Sequence, residues 1–275
     1  MLFGAVISVS TLILKPQRNI IFPVLFFVFA LIVYAIAEGI PSFQTLGMKQ
    51  KLPLIILVIG IFFLLTTVVM KGERKLARYL LPVLALAGVV WLGQNFIFTN
   101  PWKLAVALIA VVVALLSARS AGSGKGAAAE ISGISFLPAA FSVTLAFSLA
   151  AAFGAFLGAA QLDGAMTALL GIAILVLAIA YVMGRENALK FGRQANLLFA
   201  AVLSQFLAVT VLFTPKISII AVLIATLAWL VPLLLGRLGN TLARLKPLPR
   251  FAVCAVLTFL PAALSIGVAG FIAFN

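Results

Sequence analysis

The sequence predicts an all-α integral membrane protein with about ten transmembrane helices. Hydrophobic residues occupy 65% of its 275 positions and charged residues only 9%, whereas charged residues make up roughly a quarter of a soluble domain. The apolar residues are gathered into long runs, with charged or turn-forming residues between them. Because a helix needs about 20 apolar residues to cross a bilayer, the chain has room for about ten spans.

Ten apolar runs follow one another along the chain. They cover residues 2–14, 20–37, 52–70, 79–98, 102–118, 134–160, 164–183, 195–213, 217–235 and 251–274. None alternates polar and apolar residues as a barrel strand does, so all ten are predicted to be helices. The first run has the length of a signal-peptide core, but basic residues follow it rather than precede it, and it is interpreted as a short span.

The positive charges divide unevenly between alternate loops. The formal net charge is +14, from 19 Lys and Arg against 5 Asp and Glu, which in a soluble protein would suggest a nucleic-acid partner. Only Lys49, Lys51, Lys103 and Lys216 fall on one side, and all other Lys and Arg fall on the other. Basic loops usually stay in the cytoplasm. We therefore expect a multi-pass protein of the cell or inner membrane with both termini outside, anionic lipids at its cytoplasmic face and no nucleic-acid partner.

A segment rich in Gly, Ser and Ala, residues 119–133, is predicted to be a flexible cytoplasmic linker. It separates a first membrane group, residues 1–118, from a second, residues 134–275, with five spans in each. Because five is odd, the two groups would cross the membrane in opposite orientations, as the halves of inverted-repeat transporters do. Two inverted five-helix halves are therefore one hypothesis for the architecture.

Few residue types in this chain can support catalysis. There is no histidine, one cysteine and five acidic residues, and no two of the acids have the spacing that places them on one helix face. Histidine is a common proton carrier and haem ligand, and clustered carboxylates commonly hold a catalytic metal. We therefore expect no catalytic residues, no metal site and no cofactor.

Polar residues gather near the predicted outer ends of the spans, where they could line an outer vestibule. The substrate-pathway candidates there are Glu38, Gln94, Asn95, Gln161 and Asp163. Asp163 also has a simpler interpretation, because it precedes Gly164 at a predicted helix start and Asp is a favoured N-cap. Glu38 lies beside the helix-ending Gly39, and an interfacial ion pair with Lys49 or Lys51 would explain it.

Gln205 is the most polar side chain predicted near the centre of a span, and no charged residue is expected at that depth. A buried amide needs a partner on a neighbouring helix, so Gln205 is interpreted as a link between helices, with contact to a substrate as the alternative. Because coupled transport normally uses an ionisable group within the membrane, the expected lack of buried charge argues against a proton-driven mechanism.

Gly154 and Gly158 have the small-xxx-small spacing that lets helices approach closely. Both fall in the predicted run 134–160, which is rich in alanine. This run is therefore predicted to be the most buried helix of the bundle or the seam of a homodimer.

The most basic predicted cytoplasmic loop lies between the last two spans. Its cations are candidates for binding anionic lipid head groups: Arg237, Arg244, Lys246 and Arg250. The alternative is that they only orient the neighbouring spans.

Three functions are compatible with this pattern. The first is a permease or exporter of a small organic or lipid-like solute that works by alternating access, which the span count, the central linker and the scarcity of catalytic groups favour. The second is a non-catalytic membrane subunit of a larger complex. The third is a membrane enzyme that acts on a lipid-linked substrate.

Overall fold

The computed structural model describes residues 18–39, 50–69, 74–121, 126–185 and 188–274, and no strand occurs among them. Seven of the helices are long and apolar enough to cross a membrane. Two shorter apolar helices, Lys51–Thr67 and Arg78–Leu92, lie where two more spans are predicted. The predicted span 2–14 lies outside the described residues. The all-α prediction is confirmed, and the number of ten spans is not.

The helices are named here in chain order. They are α1 (Arg18–Glu38), α2 (Lys51–Leu64), α3 (Arg74–Leu92), α4 (Phe96–Thr99), α5 (Pro101–Ala121), α6 (Ala127–Phe153), α7 (Leu157–Val182), α8 (Arg193–Phe213), α9 (Ile219–Leu227), α10 (Val231–Arg237), α11 (Gly239–Leu242) and α12 (Pro247–Phe274). A π-helical turn, Leu65–Val69, extends α2, and a 3₁₀ turn, Ala228–Leu230, joins α9 to α10. Together α9, this turn and α10 form one of the seven long apolar segments.

α8 lies at the centre of the bundle. In its spanning window 94% of the residues are buried, against 22% for α12. Six helices pack against α8, namely α1, α2, α3, α5, α6 and α7. The prediction that the alanine-rich run would be the most buried helix is therefore wrong, because the corresponding window of α6 is 67% buried. Small residues set how closely one neighbour can approach, and they do not by themselves bury a helix on every side.

The turn between α6 and α7 comes earlier than predicted. α6 ends at Phe153 and α7 begins at Leu157, so the predicted run 134–160 belongs to two helices. Between them Ala155 has a left-handed conformation with φ of 60°. Gly154 lies in this turn and Gly158 in the first turn of α7, so they do not form one packing face. A Cβ at position 154 would overlap the Thr214 methyl group, so Gly154 instead lets the turn approach the end of α8.

Most of the predicted linker is helical. α5 continues to Ala121 and α6 begins at Ala127, so the expected flexible segment 119–133 shrinks to the residues between these two helices. Four of the ten helical residues within 119–133 are alanine, the best helix former, and three of them, residues 127–129, begin α6. The division of the chain into two inverted halves stays a prediction.

Aromatic rings fill the bundle on the side where α1 and α8 begin. Phe199 of α8 lies 4.2 Å from Phe26 of α1 and 5.8 Å from Phe136 of α6, measured between ring centroids. Phe136 in turn lies 5.6 Å from Trp229. Offset and edge-on ring pairs stabilise such a core beyond the area that they bury. This end of the bundle is therefore closed by packed rings.

Candidate functional site

Asp163 lies inside the bundle with its side chain fully buried. It is the seventh residue of α7, about 9 Å along the helix axis from the first residue at 1.5 Å per residue. One carboxyl oxygen, Oδ2, accepts a hydrogen bond from the Thr210 hydroxyl of α8. The other, Oδ1, has no hydrogen-bond partner within the described part of the chain. The contact between α7 and α8 thus contains a carboxyl group with one acceptor unused.

The N-cap interpretation of Asp163 is wrong, because Phe156 is the N-cap of α7. Asp-Gly is typical of a helix start, whereas the turn is made at Ala155, a residue type that rarely takes positive φ. The expectation that no acidic or basic residue lies within the spans is also wrong, because Asp163 lies within α7, one of the seven long apolar helices. The argument against a proton-driven mechanism therefore loses its basis.

A second charged group lies where α5 begins and α8 ends. Lys103 is 6% exposed, and its Nζ donates a hydrogen bond of 2.7 Å to the backbone oxygen of Thr214, which caps α8. A helix C-terminus carries partial negative charge and its last carbonyls lack partners within the helix. Lys103 satisfies one of them and fixes α5 against α8.

Gln205 is fully buried near the middle of α8. Its Nε2 donates hydrogen bonds to Ala85 O of α3, over 3.0 Å, and to Ala201 O of its own helix, over 3.3 Å. Its Oε1 has no hydrogen-bond partner among the residues described. The amide therefore links two helices, as expected for a buried glutamine, while its Oε1 lies close to Gly88 of α3.

Gln205 and Asp163 do not form one site. Thr210, which binds Asp163, follows Gln205 by five residues, so the two side chains leave α8 about 140° apart at 3.6 residues per turn. Gln205 points to α3 and Thr210 to α7. Gln205 and Thr210 therefore make two separate polar contacts from the central helix, one to α3 and one to α7.

The other predicted vestibule residues are distributed over separate elements. Gln94 and Asn95 are exposed in the turn between α3 and α4. Glu38 ends α1, and Gly39 follows with φ of 81°. Of the two predicted partners of Glu38, Lys51 instead contacts Trp91, whose backbone oxygen lies at 3.4 Å and whose ring centroid lies at 5.4 Å from Lys51 Nζ. Lys49 lies outside the described residues.

Gln161 lines a cavity between α1 and α7 with a volume of about 450 Å³. The other lining residues are apolar: Val33, Ile36, Ala37, Ala165, Ala168 and Leu169. Gln161, Ala165 and Ala168 share one face of α7 at helical spacing, and Asp163 lies on another face. The cavity therefore offers an apolar wall with one amide, separate from the buried carboxyl.

An ion-pair cluster joins three helices at the opposite end of the bundle. Arg250 of α12 donates to Glu130 Oε1 of α6 over 2.9 Å and to the Tyr181 hydroxyl of α7 over 3.2 Å. Its Nη2 also donates to Ala243 O and Leu245 O. Lys190, just before α8, lies 3.2 Å from the same Glu130 oxygen. We call Glu130, Tyr181, Lys190 and Arg250 the basic-end cluster.

The sequence does not predict the basic-end cluster. Glu130 falls within the predicted linker, and its partners are distant along the chain. One signal exists, since Glu130 lies in the first turn of α6, where an acidic side chain is favoured by the helix dipole. This signal can be used only if the start of α6 at Ala127 is known, and the sequence did not predict that start.

The four lipid head-group candidates have different surroundings. Arg237, Arg244 and Lys246 are exposed at the same end as the basic-end cluster. Arg250 is not a free loop cation as predicted, because its guanidinium uses four hydrogen bonds within the protein. A planar guanidinium can satisfy several oxygens at once, which favours this internal role over a lipid contact.

Comparison with protein-family models finds no match, and comparisons with curated proteins and with solved structures find none either.

Proposed function

We propose that this protein is a membrane permease or exporter of a small organic or lipid-like solute that works by alternating access. The cavity between α1 and α7 is the observation that carries the proposal. Its volume of about 450 Å³ lies in the range of ligand pockets, about 300–1,000 Å³. Six apolar residues and one amide line it, a composition that suits a mainly apolar solute with one polar group.

Closure of the other end of the bundle supports alternating access. The basic-end cluster ties α6, α7 and α12 together, and the rings of Phe26, Phe136 and Phe199 pack between α1, α6 and α8. A transporter that exposes its site to one side at a time needs a closed barrier at the other side. Most basic loops adjoin this closed end, so by the positive-inside rule it faces the cytoplasm.

Gentle purification at native expression, followed by mass spectrometry of bound small molecules, tests the proposal. Ala168 is exposed in the cavity wall and Ala105 is exposed on α5, away from that cavity. Ala168→Trp fills the cavity, and Ala105→Trp adds the same bulk elsewhere. We expect a solute to copurify with the native protein and Ala105→Trp, and at least tenfold less of it with Ala168→Trp. Equal solute in all three preparations, or none in any, would contradict the proposed site.

A non-catalytic subunit of a larger membrane complex is the second candidate. The observation in its favour is α12, whose spanning window is the least buried of the seven and which exposes Leu264, Phe271 and Phe274. Exposed apolar patches mark either lipid contact or a partner surface. The same purification separates these cases, because a membrane protein copurifying at a one-to-one ratio would replace the permease proposal.

A further inference from the structure

We propose that Asp163 is a proton-binding site and that loss of its proton opens the contact between α7 and α8. This inference rests on the proposed transport function, because a proton at Asp163 would be the ion that drives transport. The cavity between α1 and α7 does not indicate which ion is used.

The immediate surroundings of Asp163 are the first argument. Its side chain is fully buried, Oδ2 accepts from Thr210, and Oδ1 has no hydrogen-bond partner in the described regions. An ionised group inside a membrane protein is costly unless it is paired or reaches a water-filled cavity. The closed contact offers one hydroxyl donor to a fully buried carboxyl group, so we expect ionisation of Asp163 to favour separation of the two helices.

The charges around Asp163 are the second argument. Within the described residues it forms no ion pair. Ionisable groups on the helices that pack against α7 are few: Arg18, Tyr34 and Glu38 on α1, Glu130 on α6, Arg193 on α8, and Arg250 and Cys254 on α12. The arginines and Glu130 lie near the N-terminal ends of their helices, whereas Thr210 lies near the C-terminal end of α8.

At this end of α8, Lys103 is buried and already bonded, whereas Lys216 is exposed. Lys103 Nζ donates to Thr214 O over 2.7 Å, which holds it at the cap of α8. Thr214 N in turn donates to Thr210 O over 3.1 Å, so the same last turn of α8 carries both the lysine contact and the hydroxyl that binds Asp163. Movement of this turn would affect both contacts together.

The proton step is simple. An O–H bond of the Asp163 carboxyl breaks, and its electron pair stays on the carboxylate. A water molecule that enters between α7 and α8 accepts the proton. No other covalent bond is made or broken, and the reverse step closes the contact again.

Infrared spectroscopy of the full-length protein in lipid vesicles tests the site directly. We expect the carbonyl band of a protonated carboxylic acid that disappears as the pH rises. The band should be absent in Asp163→Asn and retained in Glu38→Gln. If no such band depends on Asp163, or if the band does not change with pH, the proposal is overturned.

A second variant keeps the test valid if Asp163→Asn does not fold. Thr210→Val removes the hydroxyl donor and keeps the carboxyl group, so the band should remain and its pH midpoint should shift. An unchanged midpoint would show that Thr210 does not act on the titrating group and would overturn the assignment.

Opening of the contact needs its own measurement. Met166 is fully buried one turn from Asp163. In a Cys254→Ser background, labelling of Met166→Cys by a water-soluble thiol reagent should increase several-fold more with pH than labelling of the same cysteine in Asp163→Asn. Equal increases in the two proteins would overturn the coupling. Labelling that responds to sodium ions and not to pH would overturn the choice of proton.

The two proposals fail in different experiments. The infrared titration needs no solute, so a missing band overturns the proton site whether or not the cavity is filled. An empty cavity overturns the transport proposal whether or not the band titrates.

Discussion

Gln205 and Gly88 show how one residue makes room for another in this bundle. Gln205 reaches Ala85 O across the contact between α8 and α3. A Cβ at position 88, one turn along α3, would lie 2.8 Å from Gln205 Oε1 and 2.6 Å from Ile55 Cγ2. Glycine therefore allows three helices to meet around the buried amide.

Gly88→Ala should consequently destabilise the protein. We expect a loss of about 1–3 kcal/mol, the usual cost of adding a methyl group to a well-packed core. Gly267→Ala on α12 is the matched control, since nothing lies within 4 Å of its added methyl group, and it should be neutral or stabilising because alanine favours a helix. Thermal unfolding of the two purified variants provides the measurement. A Gly88→Ala protein as stable as Gly267→Ala would contradict this packing.

Single residues were only partly predictable from the sequence. The need of Gln205 for a partner follows from the cost of a buried amide, and the structure supplies that partner. The burial of Asp163 did not follow, because Asp-Gly marks a helix start equally well and the alternative turn uses Ala155. A local preference of about 1 kcal/mol for an N-cap is smaller than the packing terms that decide where a span begins.

At the scale of elements, Arg250 joins three helices and the segment that precedes its own helix. Its guanidinium contacts α6 through Glu130, α7 through Tyr181, and the segment before α12 through two backbone oxygens. Lys190 adds the segment before α8 through Glu130. The ends of elements far apart in sequence are thereby fixed together.

Arg250→Lys should separate the effect of the guanidinium hydrogen bonds from the effect of the positive charge alone. Lysine keeps the positive charge but lacks the planar fork that serves several acceptors, so we expect a loss of about 1–3 kcal/mol in stability, the range for buried polar groups left unpaired. Arg237→Lys, at an exposed position, should change stability by less than about 0.5 kcal/mol. The comparison uses thermal unfolding in the same detergent. Equal effects would mean that the guanidinium geometry does not matter.

The elements themselves follow from apolar periodicity and length. Every described helix of the membrane type lies within or across a predicted run, because the backbone in lipid must bond to itself. The boundaries between α6 and α7, and between α5 and α6, were wrong, because glycine and serine suggest loops while alanine continues a helix. Which elements pack against α8 could not be predicted, since apolar faces of spans are alike on all sides.

At the scale of the whole molecule, the two ends of the bundle differ. The end with Glu130, Tyr181, Lys190 and Arg250 is tied by ion pairs and closed by aromatic rings. The other region carries the cavity at Gln161 and the buried Asp163. This asymmetry is what alternating access requires of one state, and breaking the tied end should favour the other state.

Alternating access can be tested by measuring how accessible two introduced cysteines are from each side of the membrane, in a Cys254→Ser background. Gln161→Cys places one cysteine at a residue that lines the cavity. Ser135→Cys places the other at a fully buried residue, five positions beyond Glu130 and about 7.5 Å further along α6. Glu130→Gln removes the negative charge shared by Arg250 and Lys190 and leaves only a neutral amide oxygen in its place. Glu38→Gln removes a carboxylate at the end of α1 and is the control.

The decisive measurement is labelling of both cysteines by an impermeant thiol reagent, applied to sealed vesicles of each orientation. In Glu130→Gln we expect Ser135→Cys to become several-fold more reactive from the cytoplasmic side while Gln161→Cys becomes less reactive from the outside, with no change in Glu38→Gln. Opposite changes at the two positions would show that the site opens to one side as it closes to the other. Unchanged labelling, or an increase at both positions, would contradict alternating access.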